Sequence, residues 1–508
     1  MTETHGSEVR LVGLGHLGFG FRICLGFGAW ILVLRSRVVL LVLLPLSACG
    51  RASAADEPAD ASFQLVAGLL ADQDAQVRAV GLQHVRTGAK GAAATRRFAA
   101  MLTGLPPEVQ VELLAALADR GDRAARTQVL AMLKNPREPV RAAALAALGS
   151  LGEAADVPAL AAALAAAGSA EKAAARQSLS RLRDPGTNQA IVKQLAQLAP
   201  LAPGGRGTQR VPGGEGAGGG NREVGPVRPL SPAIRAALLD ILAARNATDT
   251  IDTVLAAAED ADTAVRMAAL GALRILAEQG RTAAVVKLLR AARSDAERGR
   301  AEAALVAVCG RGGPACVTAL RDGMAGTAGP VRVALLRALA RAGGDEAFRT
   351  ILAATRDDDL PARDEAVRLL AGWPDRSAVP PLLALARQAE PLRYRVLAIT
   401  GLARLAGPLP NHPPELPVLA ETLKLARRPE EKRTVLGVLG GIATGEALAL
   451  VLPVIDDAEV CDEASAAALG IVEQLPKLDA ARRRAVSEKV LARSQSPALR
   501  ARAEALAK

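Results

Sequence analysis

The chain has 508 residues; half are hydrophobic, only 2% are aromatic, and the formal net charge is +11. The scarcity of aromatic rings argues against a deep ligand pocket and against a base-stacking surface, because both rely on aromatic side chains. Basic residues are interleaved with acidic ones rather than gathered in a block, which disfavours a nucleic-acid partner. The abundant alanine and leucine predict an all-α protein.

Residues 1–48 have the order of a bacterial export signal. Arg35 and Arg37 precede an apolar run over 38–46, and small residues follow that run, as in a signal peptide. The sequence Leu-Ser-Ala-Cys that ends at Cys49 resembles the lipobox of bacterial lipoproteins. This resemblance implies that Cys49 becomes the N-terminus, carries lipid and holds the protein in the cell envelope.

Two alternatives to lipidation stay open: cleavage after Ala54, which would discard Cys49, and an uncleaved membrane anchor. Residues 11–34 form a second apolar stretch, long enough to span a bilayer. A signal peptide has a single short apolar run and does not account for this extra length. We therefore expect residues 1–33 to precede the true translation start. Residues 49–61 are polar and are predicted to be a tether.

An internal repeat extends from residue 62 to residue 508. The pattern Asp-x-Asp-x-x-Val-Arg ends at Arg78 and recurs ending at Arg266. Looser copies place Arg235 31 residues before Arg266, and Arg332 66 residues after it, which is two steps of 33. A period in the low thirties fits one helix–turn–helix unit.

The repeated pattern is similar to HEAT repeats, especially the short bacterial form called PBS-lyase HEAT-like. The resemblance implies a right-handed α-solenoid of about thirteen helical hairpins over 62–508. Within each unit we expect Asp74 or Asp262 to cap a helix, the valine to enter the core, and the arginine to pair with an acid of the neighbouring unit. Second helices are predicted to begin near residues 75, 107, 137, 170, 231, 262, 295, 329, 359, 391, 429, 459 and 497.

One segment interrupts the repeats. Residues 203–229 are rich in glycine and proline and have no apolar periodicity. Such a composition predicts a disordered loop, placed between the two helices of the fifth unit. The segment lacks the GxxxxGK[ST] pattern of a phosphate-binding loop.

The sequence offers no constellation typical of catalysis or metal binding, so we expect no catalytic, cofactor or metal site. Its carboxylate clusters lie between helices, where acids cap the next helix. Cys309 and Cys316 flank a turn that contains three glycines and a proline. Either a disulfide or two buried free thiols is compatible with this spacing.

These features favour a non-catalytic protein-interaction scaffold, because stacked repeats expose an extended concave face. We expect an unidentified protein partner, a membrane contact through lipid, no nucleic acid and no small-molecule substrate. Arg274, Arg337 and Arg341 lie off the apolar stripe of their helices and are predicted to contact the partner. The alternatives are a bilin lyase or isomerase, which the family name suggests, and a DNA-binding HEAT protein.

Overall fold

A computed structural model describes residues 57–197 and 231–508, apart from 389, 409, 411, 476 and 508. The predicted lipidation site Cys49 and the predicted loop at 203–229 lie outside the described residues. Chain contacts divide the protein into Met1–Ala59 and Asp60–Lys508. Over the described ranges the chain forms 26 α-helices and no β-strand, which confirms the all-α prediction.

The helices alternate between two sets, which we call the first and second helices of thirteen hairpins. The first helices are α1 (Glu57–Leu70), α3 (Ala92–Ala100), α5 (Arg126–Met132), α7 (Val157–Ala163), α9 (Thr187–Gln197), α11 (Ile251–Ala257), α13 (Thr282–Arg290), α15 (Val317–Met324), α17 (Gly344–Ala354), α19 (Val379–Gln388), α21 (Leu416–Leu425), α23 (Gly445–Val451) and α25 (Ala480–Arg493). The second helices are α2 (Ala75–Thr87), α4 (Pro107–Arg120), α6 (Glu138–Leu151), α8 (Ser169–Arg181), α10 (Pro232–Ala244), α12 (Thr263–Leu276), α14 (Asp295–Gly312), α16 (Gly329–Ala342), α18 (Leu360–Ala371), α20 (Leu392–Ala406), α22 (Pro429–Leu439), α24 (Cys461–Gln474) and α26 (Pro497–Ala507).

Every second helix begins within two residues of its predicted start, which confirms the number and spacing of the hairpins. The N-terminal boundary differs from the sequence prediction. Helix α1 begins at Glu57, inside the segment 49–61 that was predicted to be a tether. Proline at residue 58 suits the first turn of a helix, because a backbone N–H there would have no partner within the helix.

The two sets of helices form two layers. Each second helix contacts its neighbours along the array, and these contacts are more extensive than those between consecutive first helices. Glycines allow the close approach: a Cβ at Gly149 would lie 3.2 Å from the Cα of Ser178, and one at Gly401 would lie 2.8 Å from the carbonyl oxygen of Ala371. The more closely spaced layer lies on the inside of a curved stack, so we name the second helices the inner layer and the first helices the outer layer.

Capping and burial follow the repeated pattern. The Asp74 side chain accepts a hydrogen bond from the backbone N–H of Gln76 at 2.8 Å, and Asp262 accepts one from Val265 at 3.3 Å. Val265 is fully buried, whereas Val77 is only partly buried. Val77 belongs to the first hairpin, which has a neighbour on one side only within the described chain.

Ion pairs join successive units of the inner layer. The base at the fourth residue after a helix N-cap reaches an acid of the next unit, as in Arg78 Nε to Glu112 Oε2 at 3.1 Å and Arg395 Nη2 to Glu431 Oε1 at 3.3 Å. Further pairs of this kind are Arg141–Glu171, Arg235–Asp260, Arg266–Glu297, Arg332–Asp357 and Lys432–Asp457. The predicted ladder between units is confirmed, and these motif residues have a structural role.

Candidate interaction face

The solvent-exposed side of the inner layer forms one surface, which we call the inner face. Small side chains occupy much of its N-terminal half, including the exposed Ala115, Ala146 and Ala173. Arginines become frequent from α12 onward. All three arginines predicted to contact a partner, Arg274, Arg337 and Arg341, are exposed on this face. Their contact with a partner stays a prediction.

Arg337 is held by two neighbouring helices. Its Nη1 lies 3.0 Å from Glu302 Oε1 of α14, and its Nε lies 2.9 Å from Glu365 Oε1 of α18. The hydrogen bond that Arg337 donates to Glu365, followed by the one it donates to Glu302, raises the pKa of the Arg337 guanidinium. Arg337 therefore connects three second helices, and its charge is already neutralised within the fold.

The other two predicted arginines have different surroundings. The Arg341 guanidinium lies over the backbone of Gly310, where an added Cβ would approach its Nε to 2.9 Å. Arg274 lines a groove on the inner face. Neither Arg274 nor Arg341 forms a side-chain ion pair with any residue that the structure describes.

The groove lies between α10, α12 and α14 and has a volume of about 750 Å³. Its floor is apolar and includes Met267, Leu270 and Ile275, and Ile275 is 47% exposed. Two glycines open the space above this floor. Gly271 has the Arg300 guanidinium 3.1 Å from the position of its missing Cβ, whereas Gly299 has no atom within 4 Å of that position. The complete lining is Asp240, Ala243, Ala244, Met267, Leu270, Gly271, Arg274, Ile275, Asp295, Ala296, Gly299, Arg300 and Ala303.

Acids and bases in this groove differ in how they are paired. Asp240 forms an ion pair with Arg176 of α8, with 3.5 Å between Asp240 Oδ2 and Arg176 Nη1. Asp295 forms an ion pair with Arg298 of its own helix. Arg274 and Arg300 have no side-chain partner among the residues described. The groove thus presents two uncompensated positive charges beside an exposed isoleucine.

Sequence reasoning found Arg274 but missed Arg300 and Ile275. Gly271 and Gly299 carried a usable signal, because glycine inside a helix costs about 1 kcal/mol relative to alanine and is expected where space or close approach is needed. Two such glycines in neighbouring second helices mark the depression between them.

A second groove lies on the outer layer between α13 and α15, with a volume of about 690 Å³. Its basic side chains already have partners within the chain. Lys287 Nζ lies 2.8 Å from Glu259 Oε1, and Arg290 donates to the Gly323 carbonyl oxygen at 3.4 Å. The Lys287 charge is therefore compensated by an acid of this chain, and the Arg290 guanidinium is held by a backbone carbonyl.

The carboxylate clusters are used in ion pairs. The Asp456 carboxylate lies 2.8 Å from Lys489 Nζ and 3.0 Å from Arg493 Nε. The hydrogen bond that Lys489 donates lowers the pKa of the Asp456 carboxyl. Asp457 is paired with Lys432, whose hydrogen bond likewise lowers the pKa of Asp457. In the described ranges no group of three or more potential ligand side chains is placed to hold a metal ion.

Cys309 and Cys316 are brought together as free thiols, both fully buried. Burial, and then the neighbouring Cys316 sulfur, raises the pKa of the Cys309 thiol. The Thr282 hydroxyl lies 3.3 Å from Cys316 Sγ. A thiol that is buried and protonated reacts slowly. This arrangement corresponds to the free-thiol alternative, and the disulfide is the alternative that experiment must test.

Alkylation of the native protein is expected to modify Cys461, which is only partly buried, and to spare Cys309 and Cys316. After unfolding without a reductant, the latter two should react fully, as peptide mapping by mass spectrometry would show. If their modification requires a reductant, the two residues form a disulfide and the free-thiol interpretation is wrong.

No curated protein matches this chain. Among solved structures, it is similar to the karyopherin Kap121p bound to the extreme C-terminus of the protein phosphatase Cdc14p, with 12% identity, a TM-score of 0.49, and coverage of 88% of this chain and 53% of that one. Importin beta is another similar structure, with 11% identity, a TM-score of 0.33, and coverage of 88% and 72%. The chain spans about half the length of the Kap121p structure. A family model described as HEAT repeats matches residues 95–180, from within α3 into the last turn of α8, so this part of the all-α solenoid is similar to HEAT repeats.

Proposed function

We propose that this protein is a non-catalytic scaffold that holds a protein partner on its inner face. The observation that carries the proposal is the groove between α10, α12 and α14, an apolar floor flanked by two unpaired arginines. The ion pairs between units hold the helices that line this groove in a fixed relation. Binding through such a face requires shape and charge but no reactive group.

Capture from envelope extract tests the proposal. The tagged full chain should retain a stoichiometric protein partner. The variants Ala146→Arg and Ala303→Arg should release that partner. Both residues are exposed on the inner face, so the larger side chain would occupy the space of the partner. The control Ala384→Arg lies at an exposed position of the outer-layer helix α19 and should retain it. Equal retention by all three variants would contradict binding on the inner face, and a turnover lost in one variant would reveal an enzyme.

We also propose that lipid on Cys49 anchors the scaffold in the bacterial cell envelope. The support is the sequence alone: a lipobox-like tetrapeptide directly after an apolar run. Eight residues, 49–56, would then connect the lipid to the start of α1 at Glu57, which keeps the solenoid close to the membrane.

Metabolic labelling with a palmitate analogue should mark the wild-type protein and lose the mark in Cys49→Ser. The variant Cys461→Ser provides the matched control, because Cys461 is a partly exposed cysteine within the solenoid, and it should label like wild type. Labelling that persists in Cys49→Ser, or a mature protein that starts at Met1, would overturn the lipid anchor.

A further inference from the structure

We infer that the groove between α10, α12 and α14 binds an acidic segment of the partner protein, one that places a carboxylate next to a large apolar side chain. The inference rests on the proposed scaffold function and specifies the chemistry of its partner. Charge, apolar surface and space each contribute to it.

Charge selects an acidic occupant. The two acids of the groove, Asp240 and Asp295, are already paired with arginines of this chain. The guanidiniums of Arg274 and Arg300 have no partner among the described side chains. Guanidinium is well suited to two-point binding of a carboxylate. An acidic segment would therefore meet two open charges, whereas a basic segment would be repelled.

Apolar surface adds the second requirement. Ile275 is one of few large hydrophobic side chains in the described chain that are substantially exposed, and it follows Arg274 directly. Met267 and Leu270 extend the apolar floor from it. Interfaces gain most from an apolar anchor in a desolvated site that is surrounded by polar contacts. A carboxylate on the arginines would place an adjacent apolar side chain over Ile275.

Space for that side chain is provided by Gly299. A Cβ at Gly299 would contact nothing within 4 Å, so the position opens directly into the groove. The groove volume of about 750 Å³ is sufficient for several side chains. A larger residue at this position would fill the site without altering its charge.

The chain's own segment 198–230 does not suit this site. It contains four arginines and two glutamates, so its charge has the same sign as the groove. The occupant that complements the groove is thus a segment of another protein.

Two variants with matched controls test the inference on the full chain. Gly299→Leu fills the groove, and Gly437→Leu makes the same change at an exposed glycine of α22 that also has open space around it. Arg300→Glu reverses one groove charge, and Arg356→Glu reverses an exposed arginine in the turn that follows α17. The probe is a fluorescein-labelled amphipathic peptide of leucine and glutamate, with a leucine and lysine peptide as its charge-reversed counterpart.

Fluorescence anisotropy should show the glutamate peptide binding to wild type, Gly437→Leu and Arg356→Glu. Affinity should fall about tenfold or more in Gly299→Leu and in Arg300→Glu, and it should fall with rising salt. Equal binding of the lysine peptide, or unchanged binding in both groove variants, would overturn the inference. If the wild-type protein self-associates and Arg300→Glu does not, the groove binds a second copy of the chain, and the inference of an acidic partner is overturned as well.

The groove inference and the scaffold proposal can fail separately. If envelope extract yields a partner that Gly299→Leu and Arg300→Glu still retain, the groove inference fails and the scaffold stands. If no partner is retained by the wild type, the scaffold proposal itself fails.

Discussion

Replacing Arg266 by alanine is expected to destabilise the centre of the solenoid by about 3–5 kcal/mol, the cost of breaking a buried ion pair by removing one partner. Arg266 and Glu297 are 7% and 4% exposed, so Glu297 would be left charged and buried. Arg266 also donates to the carbonyl oxygens of Asp260 at 2.9 Å and Ala261 at 2.7 Å, which fixes the turn before α12.

Hydrogen exchange of α12 and α14 is the suitable readout, because long repeat arrays do not unfold in one step. Arg298→Ala is the control. Its partner Asp295 is 94% exposed, and exposed pairs contribute at most about 1 kcal/mol. Replacing Arg266 by methionine together with Glu297 by leucine should restore most of the protection. An Arg266→Ala protein that exchanges like Arg298→Ala would contradict the buried-pair account.

The same pair predicts a pH dependence. The hydrogen bond from Arg266 lowers the pKa of the Glu297 carboxyl below its usual 4.5. A lowered folded-state pKa contributes stability above the unfolded value, and this contribution is lost as pH falls below about 4.5. Wild type should therefore lose stability across that range more steeply than the double replacement, which has no carboxyl at residue 297.

Deleting one whole repeat, residues 248–278, is expected to leave a shorter but folded solenoid. The deletion removes 31 residues, which is the distance along the chain from Arg235 to Arg266. Each of these two arginines is the fourth residue after the N-cap of its helix. Arg235 would therefore take the place of Arg266 opposite Glu297. Each hairpin contacts only its neighbours, so the remaining array keeps its packing.

Deleting α12 alone, residues 263–276, is expected to be far more damaging. It would expose the fully buried Val254 of α11 and Val285 of α13, and the inner layer would be broken. Circular dichroism and size-exclusion chromatography should show a monomeric helical protein for the first deletion, and aggregation or lost helix for the second. Equal damage from both deletions would show that the repeats do not stack as independent units.

The repeats were predictable from sequence because their signals are local. The N-cap Asp262, the buried Val265 and the ion-pairing Arg266 lie within five residues of each other, and the pattern recurs at a nearly constant distance. The start of α1 at Glu57 was missed because a single acid and a proline carry little periodicity. Element boundaries depend on the first turn alone, whereas the period is read over the whole chain.

The candidate site was less predictable because it depends on which helices become neighbours. Arg337 looked available in sequence, but Glu302 and Glu365 come from the units on either side of it. Arg300 resembles any other helical arginine until Gly271 is placed beneath it. Pairing between neighbouring units decides which charges remain open to a partner, and a single sequence does not contain that pairing.

The central claim is that a partner protein lies on the inner face, and photocrosslinking in intact cells tests this claim most directly. A benzophenone amino acid at Ala303, exposed in the groove on α14, is expected to give one discrete crosslinked protein. The same probe at Ala384, exposed on the outer-layer helix α19, should give none. A crosslink from Ala384 with none from Ala303 would contradict the account.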